Sequence, residues 1–452
     1  GRSETVTRQI SRTDVDALAL VTGDVDSFQI QEVGELEPVT SAEAVGAEVL
    51  ITNFLNRRLP GPGTTIVSQS FTFRGRIAVG DTLTGTVTAR EKRTESKEVV
   101  FDCSCVNQHG EQILSGSVTV IAPTRRIAYG DITPPELVLR RHDAFARLIK
   151  ACERIPPVPC AVVHPCDRDS LLGPLEAAKL KLIEPVLVGP EAKIRAVAQA
   201  EGVDISPFRL ISTEHSHAAA QEAVALARSG EVEALMKGSL HTDELMAAVV
   251  PSATGLRTAR RISHVFIMDV PSYPRMLLVT DAAVNIFPTL EDKVDIVQNA
   301  IELAHVLGIP EPKVAILSAV ETVTTKIPST TEAAALCKMA DRKQIVGGVL
   351  DGPLAFDNAI SEEAARIKKI ISPVAGRADI LLVPDLESGN MVAKQLQYLA
   401  GAESAGIVLG TRVPIVLTSR ADTVRTRLTS TAVLALVAHY RRTGEIVARP
   451  HA

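Results

Sequence analysis

The chain has 452 residues, 46 % of them hydrophobic and 22 % charged, with a net charge of −5. That is enough for two or three domains with sizeable cores, and the slightly acidic balance argues against nucleic acid or an anionic membrane surface as partner. No apolar run approaches the roughly 18 residues a bilayer span requires, and with no Trp and 3 % aromatics the cores must be aliphatic.

The polar start Gly1-Arg2-Ser3-Glu4 does not read as a signal peptide, and without a Met it reads as a trimmed start. Six cysteines are too few for a disulfide scaffold, so a reducing cytoplasm is the expected location. Cys103 and Cys105 are two apart and would share one strand face. Cys160, His164 and Cys166 fit no zinc spacing, so no metal is expected.

In chain order, residues 42–58 carry Val45, Val49, Leu50 and Phe54 at helical spacing, and Pro60-Gly61-Pro62-Gly63 ends that helix. Runs rich in β-formers follow at 64–73, 81–90, 99–107 and 112–121, with His109-Gly110-Glu111 as a turn. A long helix on an antiparallel meander is an α+β arrangement. Ala122-Pro123-Thr124-Arg125-Arg126 and Thr133-Pro134-Pro135 then read as a linker. The expected organisation is a first domain over 1–125, a linker over 126–140 and a second domain over 141–452.

Beyond the linker, short apolar runs alternate with amphipathic helices. Strands are expected at 161–163, 186–188, 234–236, 265–268, 277–279, 314–317, 346–350, 380–383, 406–409 and 414–417. The clearest helix is 292–307, with Val294, Val297, Ile301 and Ala304 on one face and Gly308 and Pro310 as stop signals. This alternation predicts an α/β fold with a mostly parallel sheet, divided into two subdomains with a cleft between them.

Five strands lead into loops that can carry chemistry. They hold Lys237-Gly238 with His241 and Thr242; Asp281 with Asn285; Asp351-Gly352; Asp385 with Asn390; and Ser419-Arg420 with Asp422. Loops at the carboxyl ends of such strands are where ligands bind, and five of them on one sheet edge can converge on one cleft. Glycines admit close backbone approach, and Lys237, Arg420 and helix N-termini favour a phosphate. Each residue also has a plain structural reading. Asp422 suits a helix N-cap, Lys237 a solvated surface position, and Asp281, Asp351, Asp385, Asn285 and Asn390 ordinary turns.

Taken together, the loops at 237–242, 280–285, 351–354, 384–390 and 419–420 resemble those of the phosphate acetyltransferase and phosphate butyryltransferase family, over about residues 140–452. The resemblance implies two α/β subdomains of isocitrate dehydrogenase-like fold. It also implies reversible acyl transfer between the thiol of coenzyme A and phosphate, without a metal. Acyl-CoA, inorganic phosphate and acyl phosphate are then the partners. By the same resemblance Ser419 is the family serine and Arg420 the phosphate-binding arginine. The family's acid several residues further on is missing, since Thr423-Val424-Arg425-Thr426 has no carboxylate, and Asp422 is the nearby candidate for the base. An arginine after the His-Thr motif is also missing at Leu245-Met246-Ala247-Ala248, with Arg257, Arg260 and Arg261 as replacements. These departures point toward the butyryltransferase-like branch.

The first 120 residues resemble a hot-dog domain of the MaoC-like (R)-specific enoyl-CoA hydratases, on Thr22-Gly23-Asp24-Val25, Leu59-Pro60-Gly61-Pro62-Gly63-Thr64 and Val79-Gly80-Asp81. The family's catalytic Asp is retained as Asp24. Its His is replaced by Gln29, which cannot accept and return a proton near pH 7. The domain is therefore expected to be inactive as a hydratase and to dimerise or bind an acyl-CoA. As a whole the chain resembles bifunctional enoyl-CoA hydratase/phosphate acetyltransferase proteins, expected as a homodimer or larger homo-oligomer. The alternatives are a non-catalytic acyl-CoA-sensing and oligomerisation protein, or an active (R)-specific enoyl-CoA hydratase in the first domain. A dehydrogenase is disfavoured because no Gly-x-Gly-x-x-Gly follows a strand.

Overall fold

The structure is a computed structural model that describes residues 1–11, 14, 17, 18, 21, 41–74, 77, 79–125, 127, 144–417 and 424–448. Asp24, Gln29, Ser419, Arg420 and Asp422 lie outside the described residues, as does most of the expected linker. The chain divides into two compact units, Gly1–Leu139 and Arg140–Ala452.

In the first unit, strands β1 (Ser3–Gln9), β2 (Thr65–Phe73), β3 (Thr82–Arg93), β4 (Glu98–Val106) and β5 (Gln112–Ile121) form an antiparallel sheet in the order β1-β3-β4-β5-β2. Helix α1 (Ser41–Arg57) packs on it. Ala47, Ile51, Phe54 and Leu55 recur at helical spacing and are buried against Leu83, Val87, Phe101 and Val118. Full burial of a side chain such as Ile51 or Leu55 is worth about 1.5–3 kcal/mol. Cys103 and Cys105 are both buried on the sheet's core face, as their spacing requires. β1 was not expected. Its sequence, SETVTRQ, has one apolar residue, and it forms through pairing with β3 from Ser3↔Thr88 to Gln9↔Thr82.

The second unit holds eleven strands: β6 (Val158–Val163), β7 (Ile183–Gly189), β8 (Arg209–Ser212), β9 (Ala234–Lys237), β10 (Ser263–Asp269), β11 (Leu277–Thr280), β12 (Lys313–Leu317), β13 (Val349–Leu354), β14 (Ile380–Leu382), β15 (Glu403–Leu409) and β16 (Ile415–Val416). Its described helices are α2 (Ala144–Cys152), α3 (Arg168–Lys179), α4 (Glu191–Ala200), α5 (Ser216–Ser229), α6 (Thr242–Val249), α7 (Leu290–Val306), α8 (Pro328–Asp341), α9 (Phe356–Ile360), α10 (Glu362–Ile367), α11 (Leu386–Tyr398) and α12 (Val424–Thr443). α7 starts ahead of its expected position because Thr289 caps it, accepting from the Asp292 N–H while Asp292 accepts from the Thr289 N–H. In α12 every residue from Thr429 to His439 is buried, which makes it a central helix of the unit.

The strands form one continuous sheet, ordered β13-β12-β14-β11-β10-β15-β16-β9-β6-β7-β8. Two expectations about individual strands are corrected. The strand expected at 346–350 is β13, which begins at Val349 and runs through Asp351, Gly352 and Pro353 to Leu354. Pro353 is tolerated because β13 is an edge strand. Strand β8 was missed because its short RLIS segment carries no apolar run.

The sheet is mostly parallel, but β10 is antiparallel to both neighbours, β11 and β15, and β15 is antiparallel to β16. This central reversal splits the parallel strands into two sets that run in opposite senses. β11, β12, β13 and β14 form one set, and β6, β7, β8, β9 and β16 the other. The five loops singled out in the sequence therefore do not leave one sheet edge. Strands β9 and β16 run one way, β11 and β14 the other, and Asp351 lies inside a strand.

Candidate functional site

At the first group of loops, β9 ends on Lys237, paired with Val163 at the end of β6, while Met236 pairs with Val416 of β16. These three strand ends stand side by side. Lys237 is 3 % exposed, so the surface reading of this lysine is set aside, and its Nζ donates to the Gly238 carbonyl at 3.4 Å. Gly238 is fixed by crowding. A Cβ there would lie 2.4 Å from the Val163 carbonyl oxygen and 2.6 Å from that of His164. The Gly238 and Ser239 N–H groups donate to those same two carbonyls at 2.9 and 3.0 Å. His241 caps α6, with Glu244 accepting from its N–H, and Thr242 is the first residue of that helix.

His164 and Ser239 were not among the expected site residues. His164 follows β6 with a positive φ of 57°. Its Nδ1 is 3.0 Å from Ser239 Oγ, which itself donates to the His164 carbonyl at 2.8 Å. The only sequence signal was His164-Pro165 directly after an apolar strand, which had drawn notice as a failed metal set. Among the described residues no group of His, Cys, Asp and Glu has the make-up of a metal site. Burial raises the Cys166 thiol to about 11 and pushes that of the fully buried Cys160 higher still.

The second group belongs to the opposite-running strands. Asp281 follows β11 and is 2 % exposed. Its Oδ1 accepts from the Ala283 and Val284 N–H groups at 2.9 and 3.1 Å, and its Oδ2 from the Asn285 N–H at 3.1 Å and from Asn285 Nδ2. Desolvation is the largest influence on this carboxyl and raises its pKa, against those hydrogen bonds. Asn285 also donates to the Ile262 carbonyl at 2.8 Å and accepts from Arg261 Nε at 2.7 Å. Asp385 caps α11, accepting from the Ser388 N–H at 2.8 Å, and Asn390 donates to the Ala282 carbonyl at 3.2 Å. Asp281, Asn285, Asp385 and Asn390 thus brace two loops against each other. β9 and β11 are four strand intervals apart, about 19 Å in an untwisted sheet.

One further expectation changes, the placing of Asp351. Asp351 is level with Ala315 within β13, and its charge helps raise the Cys337 thiol to about 12, after burial. Of the replacement arginines, Arg260 pairs with Glu302 at 2.8 Å and Arg261 with Asp292 at 3.4 Å, both on α7, while Arg257 is tied to Thr411 by a backbone bridge.

The Phosphate acetyl/butaryl transferase family pattern matches residues 213–435. Phosphate acetyltransferase from Rhizobium meliloti is 64 % identical over 304 residues, which are 67 % of this chain and 96 % of that protein. Phosphate butyryltransferase from Clostridium beijerinckii is 41 % identical over 294 residues, 65 % of this chain and 97 % of that protein. A branched-chain phosphotransacylase structure from Enterococcus faecalis superposes with a TM-score of 0.55 at 30 % identity, over 62 % of this chain and 99 % of that one. The chain belongs to the phosphate acetyl/butyryltransferase family.

Proposed function

We infer that the chain catalyses reversible transfer of an acyl group between acyl-CoA and phosphate. The observation that carries this is its 64 % identity with a phosphate acetyltransferase across 96 % of that protein's length. Coenzyme A is the acyl carrier. In the direction of CoA acylation, the thiol must lose its proton, since the thiolate is the nucleophile and a free thiol has a pKa near 8.5. Thiolate attack on the acyl phosphate carbonyl then expels phosphate. Ser419 stabilises the oxyanion, Arg420 offers its planar fork of donors to the phosphate, and Asp422 is the nearby carboxylate. Lys237, buried at the neighbouring strand end, supplies positive charge for the anionic substrates. Higher identity with the acetyltransferase than with the butyryltransferase favours an acetyl group, against the butyryl branch that the missing acid and arginine had suggested.

The transferase domain is taken as 141–452, the first domain as 1–125. A five-stranded antiparallel sheet around a single long helix supports the hot-dog reading of the first domain. With Gln29 where the hydratases carry His, we assign it no hydration activity despite Asp24, and a role in assembling a homo-oligomer. No described helix is long and apolar enough to cross a membrane, and a cytoplasmic location remains part of this proposal.

The test is arsenate- or phosphate-dependent cleavage of acetyl-, propionyl- and butyryl-CoA, with Ser419→Ala and Arg420→Ala alongside. Turnover that both substitutions abolish supports the reading. Binding of acyl-CoA with no turnover of any of the three would turn it into an acyl-CoA sensor.

A further inference from the structure

β6, β7 and β8 follow one another outward along the sheet, and the chain then returns to place β9 on the other side of β6. The strand order reverses between β6 and β9, and the crevice outside the carboxyl ends at such a point is where open α/β sheets bind ligands. His164 stands at that point. A residue other than glycine held at φ 57° is an outlier of the kind that collects at working sites.

Its protonation pattern follows from Ser239. A serine hydroxyl has one proton to give and two lone pairs. Ser239 Oγ gives its proton to the His164 carbonyl at 2.8 Å and accepts from the Cys166 N–H at 3.4 Å. With the serine proton on that carbonyl, which also accepts from the Cys166 and Ser239 N–H groups at 2.9 and 3.0 Å, the contact to His164 Nδ1 at 3.0 Å is a hydrogen bond in the tautomer that carries its hydrogen on Nδ1. The neutral ring then has its lone pair on Nε2, which has no hydrogen-bond partner among the described residues, on a side chain only half-buried. A ring in that tautomer, with Nε2 open, is what a general base needs. Leu417, two residues before Ser419, lies on the strand line two intervals from β6, about 10 Å away.

We propose that His164 is a catalytic residue, the proton acceptor for the CoA thiol, in place of the family acid that this sequence lacks. This rests on the acyltransferase reading above. The S–H bond breaks with its proton passing to Nε2. The sulfur electron pair forms the bond to the acyl carbon, and the bond from that carbon to the phosphate oxygen breaks to release phosphate. In the reverse direction phosphate attacks the thioester, and the imidazolium returns the proton to the departing thiolate. The charged groups that face the ring are Lys193 of α4, Glu244 of α6 and Asp167 ahead of α3. Burial first and Lys193 second hold the ring below its usual value, against Glu244, a hydrogen bond to its own backbone and Asp167, so it is neutral and ready to accept at pH 7.

The test is the pH profile of kcat/KM for CoA with acetyl phosphate, for the full chain and for His164→Asn, Ser239→Ala and Asp422→Asn. Asn tolerates the left-handed backbone. The wild type should show an acid limb set by His164. His164→Asn should lose about 10²–10⁴-fold, in kcat more than in KM, and its rate should climb about tenfold per pH unit until the thiol ionises by itself near 8.5. Ser239→Ala, which frees the tautomer, should lower kcat and keep the limb. Should His164→Asn fail to fold, as judged by its melting curve, Ser239→Ala decides: an unchanged kcat overturns the proposal. It also fails if His164→Asn keeps the wild-type profile within about threefold, or if only Asp422→Asn removes the limb. A wild type that transfers no acyl group defeats the acyltransferase reading itself, and the two failures are told apart before any variant is measured.

Discussion

His264 should make the second unit sensitive to mild acid. It lies on β10, is 1 % exposed, and has no partner for Nδ1 among the described residues. Burial lowers its pKa to about 4, against the opposing effect of its hydrogen bond to the Leu417 backbone. In the unfolded chain the ring titrates near 6.5. Between about 6.5 and 4 the unfolded state therefore binds a proton that the folded state refuses. The stability contributed by the neutral buried ring is complete above pH 6.5 and is lost as pH falls toward 4. The slope is about 1.4 kcal/mol per pH unit and the whole effect about 3 kcal/mol. His264→Gln has no titrating ring but keeps a donor for Leu417, so it starts less stable and lacks this slope. Urea unfolding followed by circular dichroism at pH 7.5, 6.5, 5.5 and 4.5, read on the transition of the 140–452 unit, isolates the effect as the difference between the two proteins. Carboxylate titrations common to both cancel. That difference should narrow by roughly 2–3 kcal/mol between pH 6.5 and 4.5. A difference constant within about 0.5 kcal/mol would show that the ring is hydrated or charged in the folded protein, and the reasoning would be wrong.

Three other substitutions probe the elements around the site. Gly238→Ala places a Cβ within 2.4–2.8 Å of backbone atoms of Val163 and His164 that cannot swing aside; it should cost about 1–3 kcal/mol and, by displacing the strand end, about 10²-fold in kcat, and unchanged melting and turnover would contradict the crowding argument. Asp281→Asn leaves an amide facing N–H donors that now meet a carboxylate, for a loss of about 2–5 kcal/mol; a melting temperature equal to wild type would mean that the carboxylate braces nothing. Gly46→Ala, within α1 and with only a Leu18 methyl at 3.6 Å from the new Cβ, should stabilise the first unit by up to about 1 kcal/mol, and a lower melting temperature would show that the helix is packed more tightly there than described.

What was legible in the sequence was local. Apolar runs such as Val314 to Leu317 and Ile380 to Val383 located strands because those residues are buried on both faces of the sheet. β1 and β8 carry no such run, and they form because a neighbouring strand offers unpaired backbone groups. Asp351-Gly352-Pro353 read as a loop because Gly and Pro usually break strands, yet an edge position removes the objection to Pro353. Strand direction was not legible at all. Ser263–Asp269 and Glu403–Leu409 look like any other buried strands, but their antiparallel pairing reverses the sheet and separates Lys237 from Asp281. The contact between His164 and Ser239 joins residues 75 apart in sequence, and no short-range spacing foretells it.

The sheet reversal also separates the sequence candidates into two groups with different surroundings. Asp281, Asn285, Asp385 and Asn390 have their polar groups engaged with backbone or with one another. A substrate that took those groups would have to repay several buried hydrogen bonds, each worth about 1 kcal/mol net and more if left unsatisfied. In the described structure these residues tie the loops after β11 and β14 together. The ends of β6, β9 and β16 are different. A buried lysine, a glycine with no room for a Cβ and a histidine with one nitrogen committed and the other open stand within three adjacent strands. Lys237 and His164, at the adjacent ends of β9 and β6, are the groups on which the proposed reading rests: charge for the anionic substrates and an acceptor for the thiol proton.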